Sequence, residues 1–542
     1  MNPARPDPAP TRWWGWGDPA KEMALSDAAL RTLAERTGEV TPEPRVELDE
    51  VGLPDAQAVP ELEAAIGAEA VLDGREHRIR RSGGHSYPDL IRRRRGALGE
   101  APDAVVMPAS AAEVERALAA CAEAGIAVVP FGGGTSVVGG VAPARGRFER
   151  VIALDLRRLR AASVDRRSLT ASLGPGLRGP EAEALLGADG LTLGHFPQSF
   201  EYATIGGFAA TRSAGQASSG YGRFDDLVTA IELTTPAGVL RTLATPHTAA
   251  GPALREVALG SEGTLGVITD VTARVRPAPA EQRYEAWITA DFATGTEILR
   301  TLAQAGQLPD VARLSDEAET EASLAFGGAE GPRRRLLDAY LALRRRRGGC
   351  LVIAGWEGTG DDVARRRALS ARLLRRGGAT ALGTAPGRAW LRGRYEGPYL
   401  REALLDHGYL AETLETSHTW SRLEELYRGV GSAISTALEG QGTPGIVMCH
   451  VSHIYRDGAS LYFTVVARAR GGEEIEQWRA VKSAACDAIV ASGGTITHHH
   501  AVGRDHTPYM ESEVGEAGLE ALRALKERLD PAGIMNPEKL LP

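Results

Sequence analysis

A glycine loop near residue 130 is the stretch of this sequence best suited to hold a ligand. Gly132, Gly133 and Gly134 are followed directly by Thr135 and Ser136. Because glycine has no Cβ, the backbone of such a loop can approach a ligand closely and turn its N–H groups toward it. The two hydroxyls add donors, so the loop could hold a phosphate or pyrophosphate without a lysine. A plain tight turn is the alternative, since neither a P-loop nor a G-x-G-x-x-G pattern is present.

A second group of reactive side chains lies in the last part of the chain. Three adjacent histidines at 498–500 follow a helix-like segment that ends in Gly-Gly. An aspartate and another histidine come soon after, so a metal is not excluded, although no cysteine stands at ligand spacing. Tyr462 lies in an alternating segment, where it could transfer protons or pack in the core. Arg313 and Arg401, taken singly, could be surface residues or anion ligands.

The elements around the glycine loop are a helix and a strand. Residues 111–124 have the apolar spacing of a helix, and the β-branched run that ends at residue 130 predicts a strand. A hairpin is predicted at 229–242, and a second glycine loop runs into a strand at 259–270. A composition change after residue 279 marks a domain boundary, beyond which strands alternate with Ala/Arg-rich helices.

Bulk properties exclude several functional classes. The chain has 542 residues, a net charge of -8 and four widely spaced cysteines without a CxxC pair. We therefore expect more than one domain, no disulfide framework and no nucleic-acid partner. The arginine clusters at 92–95 and 344–349 are read as solvated faces, and contact of either with an anionic membrane surface stays open. No signal peptide or transmembrane segment is predicted, so a cytoplasmic protein is expected, and its peripheral association with a membrane stays open.

Four stretches taken together carry a family resemblance. They are PFGGGTS, QSFEYAT with IGG behind it, TRSAG and SEGTLGVIT, and their order and spacing resemble the FAD-binding domain of vanillyl-alcohol oxidase type flavoproteins. In that family the first glycine loop cradles the pyrophosphate, and the later segments line the isoalloxazine and adenine. The resemblance assigns to the cofactor Pro130, Phe131, Gly132, Gly133, Gly134, Thr135, Ser136, Gln198, Ser199, Phe200, Glu201, Tyr202, Ala203, Thr204, Thr211, Arg212, Ser213, Ala214, Glu262, Gly263, Thr264, Leu265, Gly266, Val267 and Ile268.

The second half of the chain narrows the family. Its motifs are ARLSD, PYLREALL, ETSHTW, SHIYRDGASLYF and HHHAVG, and RWWGWG stands near the start. Together they resemble the alkyldihydroxyacetonephosphate synthase family. The resemblance implies an α+β fold, with a two-part FAD-binding domain of the vanillyl-alcohol oxidase (PCMH) type and an α/β cap domain. We divide the chain into an N-terminal extension (1–60), the FAD-binding domain (61–279), the cap (280–490) and a C-terminal segment that packs back on the FAD domain (491–542).

The resemblance also implies a reaction and its residues. The family exchanges the acyl group of acyl-dihydroxyacetone phosphate for a fatty alcohol in ether-lipid synthesis, through a flavin N5 adduct and without net oxidation. Such chemistry needs a base for the proton beside the ketone, a partner for the oxyanion and a cation for the phosphate. By match to the family motifs, the acid/base is Tyr462, the active-site histidines are His498, His499 and His500, the phosphate ligand is Arg401, and an arginine needed near the flavin is Arg313.

The mode of flavin binding depends on two positions. The string RSGGHSY around His85 resembles a covalent flavin-attachment motif, but it lies ahead of the strand at 103–108 rather than at the glycine loop. At the matching place this chain has Thr135. We therefore predict non-covalent FAD, no metal, and a surface or structural role for His85.

Two other functional classes stay open. One is a flavin-dependent oxidoreductase of the glycolate or D-lactate type, whose metal-binding histidine spacing this chain matches poorly. The other is a non-catalytic flavin-binding protein, which the retained tyrosine, arginine and histidines disfavour. A homodimer is expected. The Ala/Arg-rich composition and the short N-terminus favour a bacterial protein, whose true substrate could differ from that of the family.

Overall fold

The protein is described by a computed structural model that covers residues 11–42, 44–326 and 339–542. Part of the predicted N-terminal extension, residues 1–10, therefore lies outside the described residues. None of the helices in the described ranges combines the length and apolarity that crossing a bilayer requires. The four cysteines are buried and free.

The first layer of the FAD-binding half is a four-stranded sheet in the order β1-β2-β4-β3. The neighbours β2, β4 and β3 are parallel, and β1 is antiparallel to β2. Its central strands are apolar on both faces, as expected where helices cover a parallel sheet. The elements of this part are α1 (Asp27–Thr37), α2 (Pro60–Ile66), β1 (Val71–Leu72), α3 (Arg75–Ile79), α4 (Tyr87–Arg94), β2 (Ala104–Val106), α5 (Ala111–Ala124), β3 (Ile126–Phe131) and β4 (Arg150–Asp155).

The second layer is a five-stranded antiparallel sheet in the order β5-β6-β10-β8-β9. Short helices lie between its strands, and a two-stranded ribbon of β7 and β11 stands beside it. The elements are β5 (Ala162–Asp165), β6 (Thr170–Leu173), α6 (Gly179–Gly187), β7 (Leu191–Thr192), α7 (Ile205–Ala210), α8 (Ser218–Tyr221), α9 (Phe224–Leu227), β8 (Val228–Thr235), β9 (Gly238–Arg241), α10 (Leu254–Ala258), β10 (Val267–Arg274) and β11 (Arg276–Pro277).

The cap is built on a seven-stranded sheet in the order β15-β12-β14-β13-β17-β18-β16, in which every pair of neighbours is antiparallel. Helices pack on it and form the largest apolar core of the protein. The elements from here to the end are β12 (Glu281–Thr289), α11 (Phe292–Gln304), β13 (Val311–Ser315), α12 (Glu317–Phe326), β14 (Cys350–Gly358), α13 (Gly360–Arg376), β15 (Thr380–Gly383), α14 (Thr384–Gly393), α15 (Gly397–Asp406), β16 (Tyr409–Thr419), α16 (Leu423–Gly440), β17 (Gly445–Ile454), β18 (Gly458–Arg468), α17 (Glu474–Ala491) and α18 (Met510–Leu529).

Strand β18 shows how the cap presents polar side chains to a ligand. Leu461, Phe463 and Val465 point into the apolar core, while Tyr462 and Thr464 lie on the opposite face and line a cavity. This is the period of two that a strand imposes on its side chains. The alternation in the sequence therefore positions Tyr462 over the cavity rather than in the core.

The C-terminal segment returns to the FAD-binding half. The N–H of Val128 on β3 donates to Ile534 O (2.8 Å), and the N–H of Asn536 donates to Val128 O (2.8 Å). The Asn536 side chain also donates to Glu262 O (2.6 Å). These bonds tie residues that follow the histidine run to the strand that leads into the glycine loop. The domain boundaries set from the sequence stay predictions.

Candidate active site

One cavity of about 650 Å³ joins the glycine loop to the polar face of the cap sheet. It is lined by the loop after β3, by segments around residues 198, 213 and 262, and by α12, α15, β17 and β18 of the cap. Six residues were predicted to act on the substrate. Five of them line the cavity directly, and His498 does not; the five are Arg313, Arg401, Tyr462, His499 and His500.

The glycine loop packs tightly against the segment at 202–204. A Cβ at Gly133 would lie 2.1 Å from Tyr202 O, and Gly134 has φ +67°, which disfavours other residues. The glycines are thus required by neighbouring backbone as well as by any ligand. Within the described residues no acceptor is found for the N–H groups of Gly133, Gly134 and Thr135. A row of unpaired backbone donors beside a cavity is the arrangement that binds a pyrophosphate.

Of the residues predicted to hold FAD, most line the cavity. The complete run 130–136 does so, as do Glu262 and parts of the other three segments. Glu262 also accepts the N–H groups of Val502 (2.7 Å) and Gly503 (2.8 Å), and burial raises its pKa to about 7. The predicted residues that do not line the cavity are Phe200, Glu201, Tyr202, Arg212, Thr264, Leu265 and Val267.

Two of those seven residues contact other side chains instead of the cavity. Arg212 pairs with Asp225 and Glu256 on the outer side, and Tyr202 packs edge-on against Trp16 (5.2 Å). The sequence pattern marks the segment, but the strand or turn decides which of its side chains face inward.

His85 lies against the glycine loop and lines the cavity, so a surface position is wrong and a structural one fits. Its Nδ1 bonds Gly134 O (2.8 Å), and its N–H donates to Ser136 O (2.6 Å). Trp16 of the N-terminal motif packs edge-on against the imidazole (5.3 Å). His85 therefore helps to fix the shape of the loop.

Arg401 on α15 points a free donor into the site. Its Nε donates to Ala411 O (3.2 Å) and its Nη1 to His85 O (2.8 Å). Its Nη2 is buried and has no partner among the described residues. Because an unpaired buried guanidinium nitrogen is costly, this atom points to an anionic ligand.

Tyr462 is protonated at neutral pH, and burial makes the loss of its proton harder still. Burial raises the pKa of the phenol to about 12, against weaker opposing effects of Thr413 and Arg401. The neighbouring histidines do not lower this pKa. The ring stacks on His450 (4.7 Å, 22°) and meets His500 edge-on (5.4 Å). Proton acceptance beside Tyr462 therefore falls to imidazoles.

The histidine run is held by Glu415, which the sequence analysis did not single out as a site residue. Its buried carboxylate accepts the backbone N–H groups of His498 (2.5 Å), His499 (3.0 Å) and His500 (2.8 Å) and the Thr497 hydroxyl (2.6 Å). Burial opposes its ionisation, but the imidazoles and the hydroxyl outweigh burial and hold its pKa well below the usual range. Burial lowers the pKa of all three histidines, so they are neutral at pH 7.

His498 faces away from the cavity toward a second polar group. Its Nε2 bonds the Tyr455 hydroxyl (2.6 Å), and its Nδ1 lies 3.0 Å from Nδ1 of His499. The ring stacks on His453 (5.0 Å). Nitrogens of His453, His498 and His499 lie within 4.8 Å of one another, a spacing that could also share a metal ion.

Arg313 on β13 is paired with a carboxylate rather than free. It bonds Glu319 on α12, and its Nη2 lies 3.0 Å from His450 Nδ1. His450 Nδ1 also lies 3.1 Å from Glu319 Oε2. Burial alone would raise the pKa of Glu319, but Arg313 and His450 outweigh it and lower the pKa to about 2. Of these three side chains, the sequence analysis predicted only Arg313 as a site residue.

The cavity continues past these polar groups as an apolar arm. The arm runs between α1, α12, α15 and the strands β16, β17 and β18, at the edge of a small separate core. The residues that line it are Leu33, Ala322, Leu400, Leu404, Ala411, Ile446, Met448 and Val466.

Comparisons with known proteins agree with this geometry. Residues 102–244 match the family described as FAD binding domain, and residues 278–540 match FAD linked oxidases, C-terminal domain. Both matches fit the unpaired loop donors and the size of the cavity, so FAD is the cofactor. A structure of p-cresol methylhydroxylase, 17% identical, superposes with a TM-score of 0.68 over 89% of this chain and 95% of that chain. This likeness supports the predicted vanillyl-alcohol oxidase (PCMH) type fold.

Two closer relatives narrow the family. A protein of Dictyostelium discoideum named alkyldihydroxyacetonephosphate synthase is 34% identical over 493 residues, which are 89% of this chain and 80% of that protein. A solved alkyldihydroxyacetonephosphate synthase structure, 30% identical, superposes with a TM-score of 0.84 over 98% of this chain and 99% of that chain. The chain therefore belongs to the alkyldihydroxyacetonephosphate synthase family of FAD-dependent enzymes.

Proposed function

We propose that this protein exchanges the acyl group of acyl-dihydroxyacetone phosphate for a fatty alcohol, with FAD bound non-covalently and without net oxidation. The observation that carries the proposal is the single cavity, which joins the glycine loop, a free arginine donor, a tyrosine–histidine cluster and an apolar arm. A ketose phosphate with a long chain is a ligand that needs all four.

Each part of the cavity takes one part of the substrate. The Arg401 Nη2 that lacks a partner binds the phosphate, because a guanidinium offers a fixed, permanently charged fork. The apolar arm holds the alkyl chain and keeps water from the reacting carbon. The phenol of Tyr462, protonated at neutral pH, donates to the oxygen on which negative charge develops.

The histidines accept the proton that leaves the substrate carbon next to the ketone. His499 and His500 line the cavity beside Tyr462, and burial keeps both neutral. A neutral imidazole can take the proton from the carbon next to the ketone. Glu415, fixed below them, stabilises the positive charge that an imidazole then gains. FAD, when bound, supplies the electrophilic centre that holds the carbon skeleton while acylate and alcohol exchange.

The cofactor itself would be held by the loop at 130–136. Non-covalent attachment is supported by Thr135, which stands where the covalent attachment motif would place a histidine, and by the bond that holds His85 Nδ1 on Gly134 O. Acid precipitation should therefore leave the yellow colour in the supernatant. Flavin that pellets with the protein would contradict this part of the proposal, and a His85→Ala variant would then identify the linkage. A homodimer and contact with a membrane surface are further expectations for this protein.

The experiment that tests the function compares two substrates on the purified holoenzyme. With acyl-dihydroxyacetone phosphate and labelled hexadecanol, we expect an alkyl product and free fatty acid in equal amounts, with no electron acceptor present. Glycolate and D-lactate should not reduce the flavin. Reduction by either acid, with no alkyl product, would support the oxidoreductase alternative instead.

A further inference from the structure

The wall of the cavity changes from apolar to polar along two paired strands. Same-face residues of β17 and β18 stand opposite one another in three successive pairs: Ile446 with Val466, Met448 with Thr464, and His450 with Tyr462. Four residues of a strand span about 13 Å. If the proposed function holds, an alkyl chain along the apolar end therefore brings its hydroxyl to the third pair.

An imidazole and a carboxylate lie together at this third pair. Removal of the proton from the carbon next to the ketone, as proposed above, does not use them. His450 is almost fully buried, and its Nδ1 lies 3.1 Å from Glu319 Oε2 and 3.0 Å from Arg313 Nη2. When Nδ1 carries the proton it donates to Glu319, and Arg313 Nη2 donates to the other oxygen of that carboxylate rather than to the ring. Both partners lie on the Nδ1 side, so Nε2 is the nitrogen left for the cavity. Glu319 also lines the cavity, one helical turn before Ala322 of the apolar arm.

We infer that His450, oriented by Glu319, is the base that removes the proton from the incoming fatty alcohol. In this assignment Nδ1–H donates to the Glu319 carboxylate, and the lone pair of Nε2 faces the alcohol hydroxyl. A carboxylate behind an imidazole fixes the tautomer and stabilises the imidazolium that forms. Arg313 pairs with Glu319 and thereby holds that carboxylate in place.

The step balances without an oxidant or a reductant. The alcohol O–H bond breaks, and its proton goes to His450 Nε2. The alcohol oxygen forms the new C–O bond, and the bond between the same carbon and the acyl oxygen breaks as the acylate leaves with the electron pair. The proton on His450 then passes to solvent, so one alcohol replaces one acylate.

The other polar groups of the site are poorly suited to this step. Burial raises the pKa of Tyr462 to about 12, so it already holds a proton. His499 and His500 already serve the carbon next to the ketone in the proposed function, and Glu415, which holds their backbone, lies on β16, on the opposite side of β18 from His450. Burial and the Arg313 charge lower the pKa of His450, which keeps its imidazole neutral and able to accept a proton at pH 7.

The test separates the two proton transfers in the holoenzyme. In His450→Asn the side-chain amide can still donate to Glu319, so the fold and the Arg313 pair are retained. Transfer of hexadecanol should fall by about 10²–10⁴-fold. Binding of labelled hexadecanol, and solvent exchange of the hydrogen on the substrate carbon, should stay at wild-type levels. The exposed His247→Asn is the matched control and should transfer normally.

A more acidic alcohol, fluorinated beside the hydroxyl, needs less help from a base. The deficit of His450→Asn relative to wild type should therefore be smaller with this alcohol, an effect that a purely structural role would not produce. Glu319→Gln should show a weaker form of the same pattern, and Glu321→Gln on the same helix should not.

Two results would overturn the inference: wild-type transfer in His450→Asn, or equal loss of carbon-hydrogen exchange and transfer. A wild-type enzyme that forms no alkyl product would instead refute the proposed function on which this inference rests.

Discussion

Replacing Glu415 with glutamine should loosen the histidine loop while leaving the fold intact. The carboxylate accepts four hydrogen bonds, three of them at Oε1 and one, from the N–H of His498, at Oε2. A glutamine can keep its carbonyl oxygen at the Oε1 position. Its NH₂ group then faces the His498 N–H, so that buried donor loses its acceptor.

The magnitude follows from these bonds. An unsatisfied buried N–H costs about 1–3 kcal/mol. The three remaining hydrogen bonds also weaken, because a bond to a charged acceptor contributes about 1.5–3 kcal/mol and a bond to a neutral acceptor about 0.5–1.5 kcal/mol. Burying a neutral amide costs less than burying a carboxylate, which offsets part of the loss. We expect the loop at 497–500 to open more easily by about 3–5 kcal/mol.

Amide hydrogen exchange measures this opening directly. A change of 3–5 kcal/mol corresponds to roughly 10²–10⁴-fold faster exchange of the peptide that contains the histidines. Glu424→Gln is the matched control, since this exposed residue on α16 pairs with Arg428 on the same helix. Because the folded pKa of Glu415 is lowered, its stabilisation is present above the unfolded pKa of about 4.3 and is lost as pH falls through the folded value. Unchanged exchange at pH 7, or a difference from wild type that vanishes already at pH 6, would refute the reasoning.

Three further substitutions test the remaining parts of the site. Gly133→Val should lower flavin content sharply, since even its Cβ would lie 2.1 Å from Tyr202 O, and normal flavin absorbance would show that the loop is placed wrongly. Arg401→Leu should weaken binding of the phosphorylated substrate by about ten- to a hundredfold, because it removes a charge-assisted hydrogen bond that contributes about 1.5–3 kcal/mol. An unchanged KM would show that Arg401 does not bind the phosphate. Tyr462→Phe should keep FAD and reduce turnover by about 10²–10⁴-fold, and near-normal turnover would leave the tyrosine with a packing role.

The sequence predicts the parts of the site that are local in the chain. The glycine loop, the segments that follow it and the period of two around Tyr462 are short patterns, and the structure brings them to one cavity. The family resemblance adds Arg401, whose free Nη2 no local pattern could reveal. These residues could be found because each lies within a motif of a few positions.

The residues that sequence reasoning missed act through long-range contacts. Glu415 bonds residues more than eighty positions away, and Glu319 meets His450 across a gap of 131 positions. Only the strand register, which pairs both Glu415 and His450 with Tyr462, brings these groups together. A partial signal was present, since Glu415 opens the ETSHTW motif. The pKa of Tyr462 also needed the structure, because burial sets it.

Isotope tracing in an acceptor-free, anaerobic reaction tests the central claim most directly. The holoenzyme is given acyl-dihydroxyacetone phosphate and hexadecanol labelled with ¹⁸O, and both products are examined by mass spectrometry. If the protein replaces the acylate by the alcohol, the label appears in the ether oxygen of the alkyl product, and the fatty acid carries none. A labelled ester of the fatty acid with hexadecanol, or no product until an electron acceptor is added, would contradict the account.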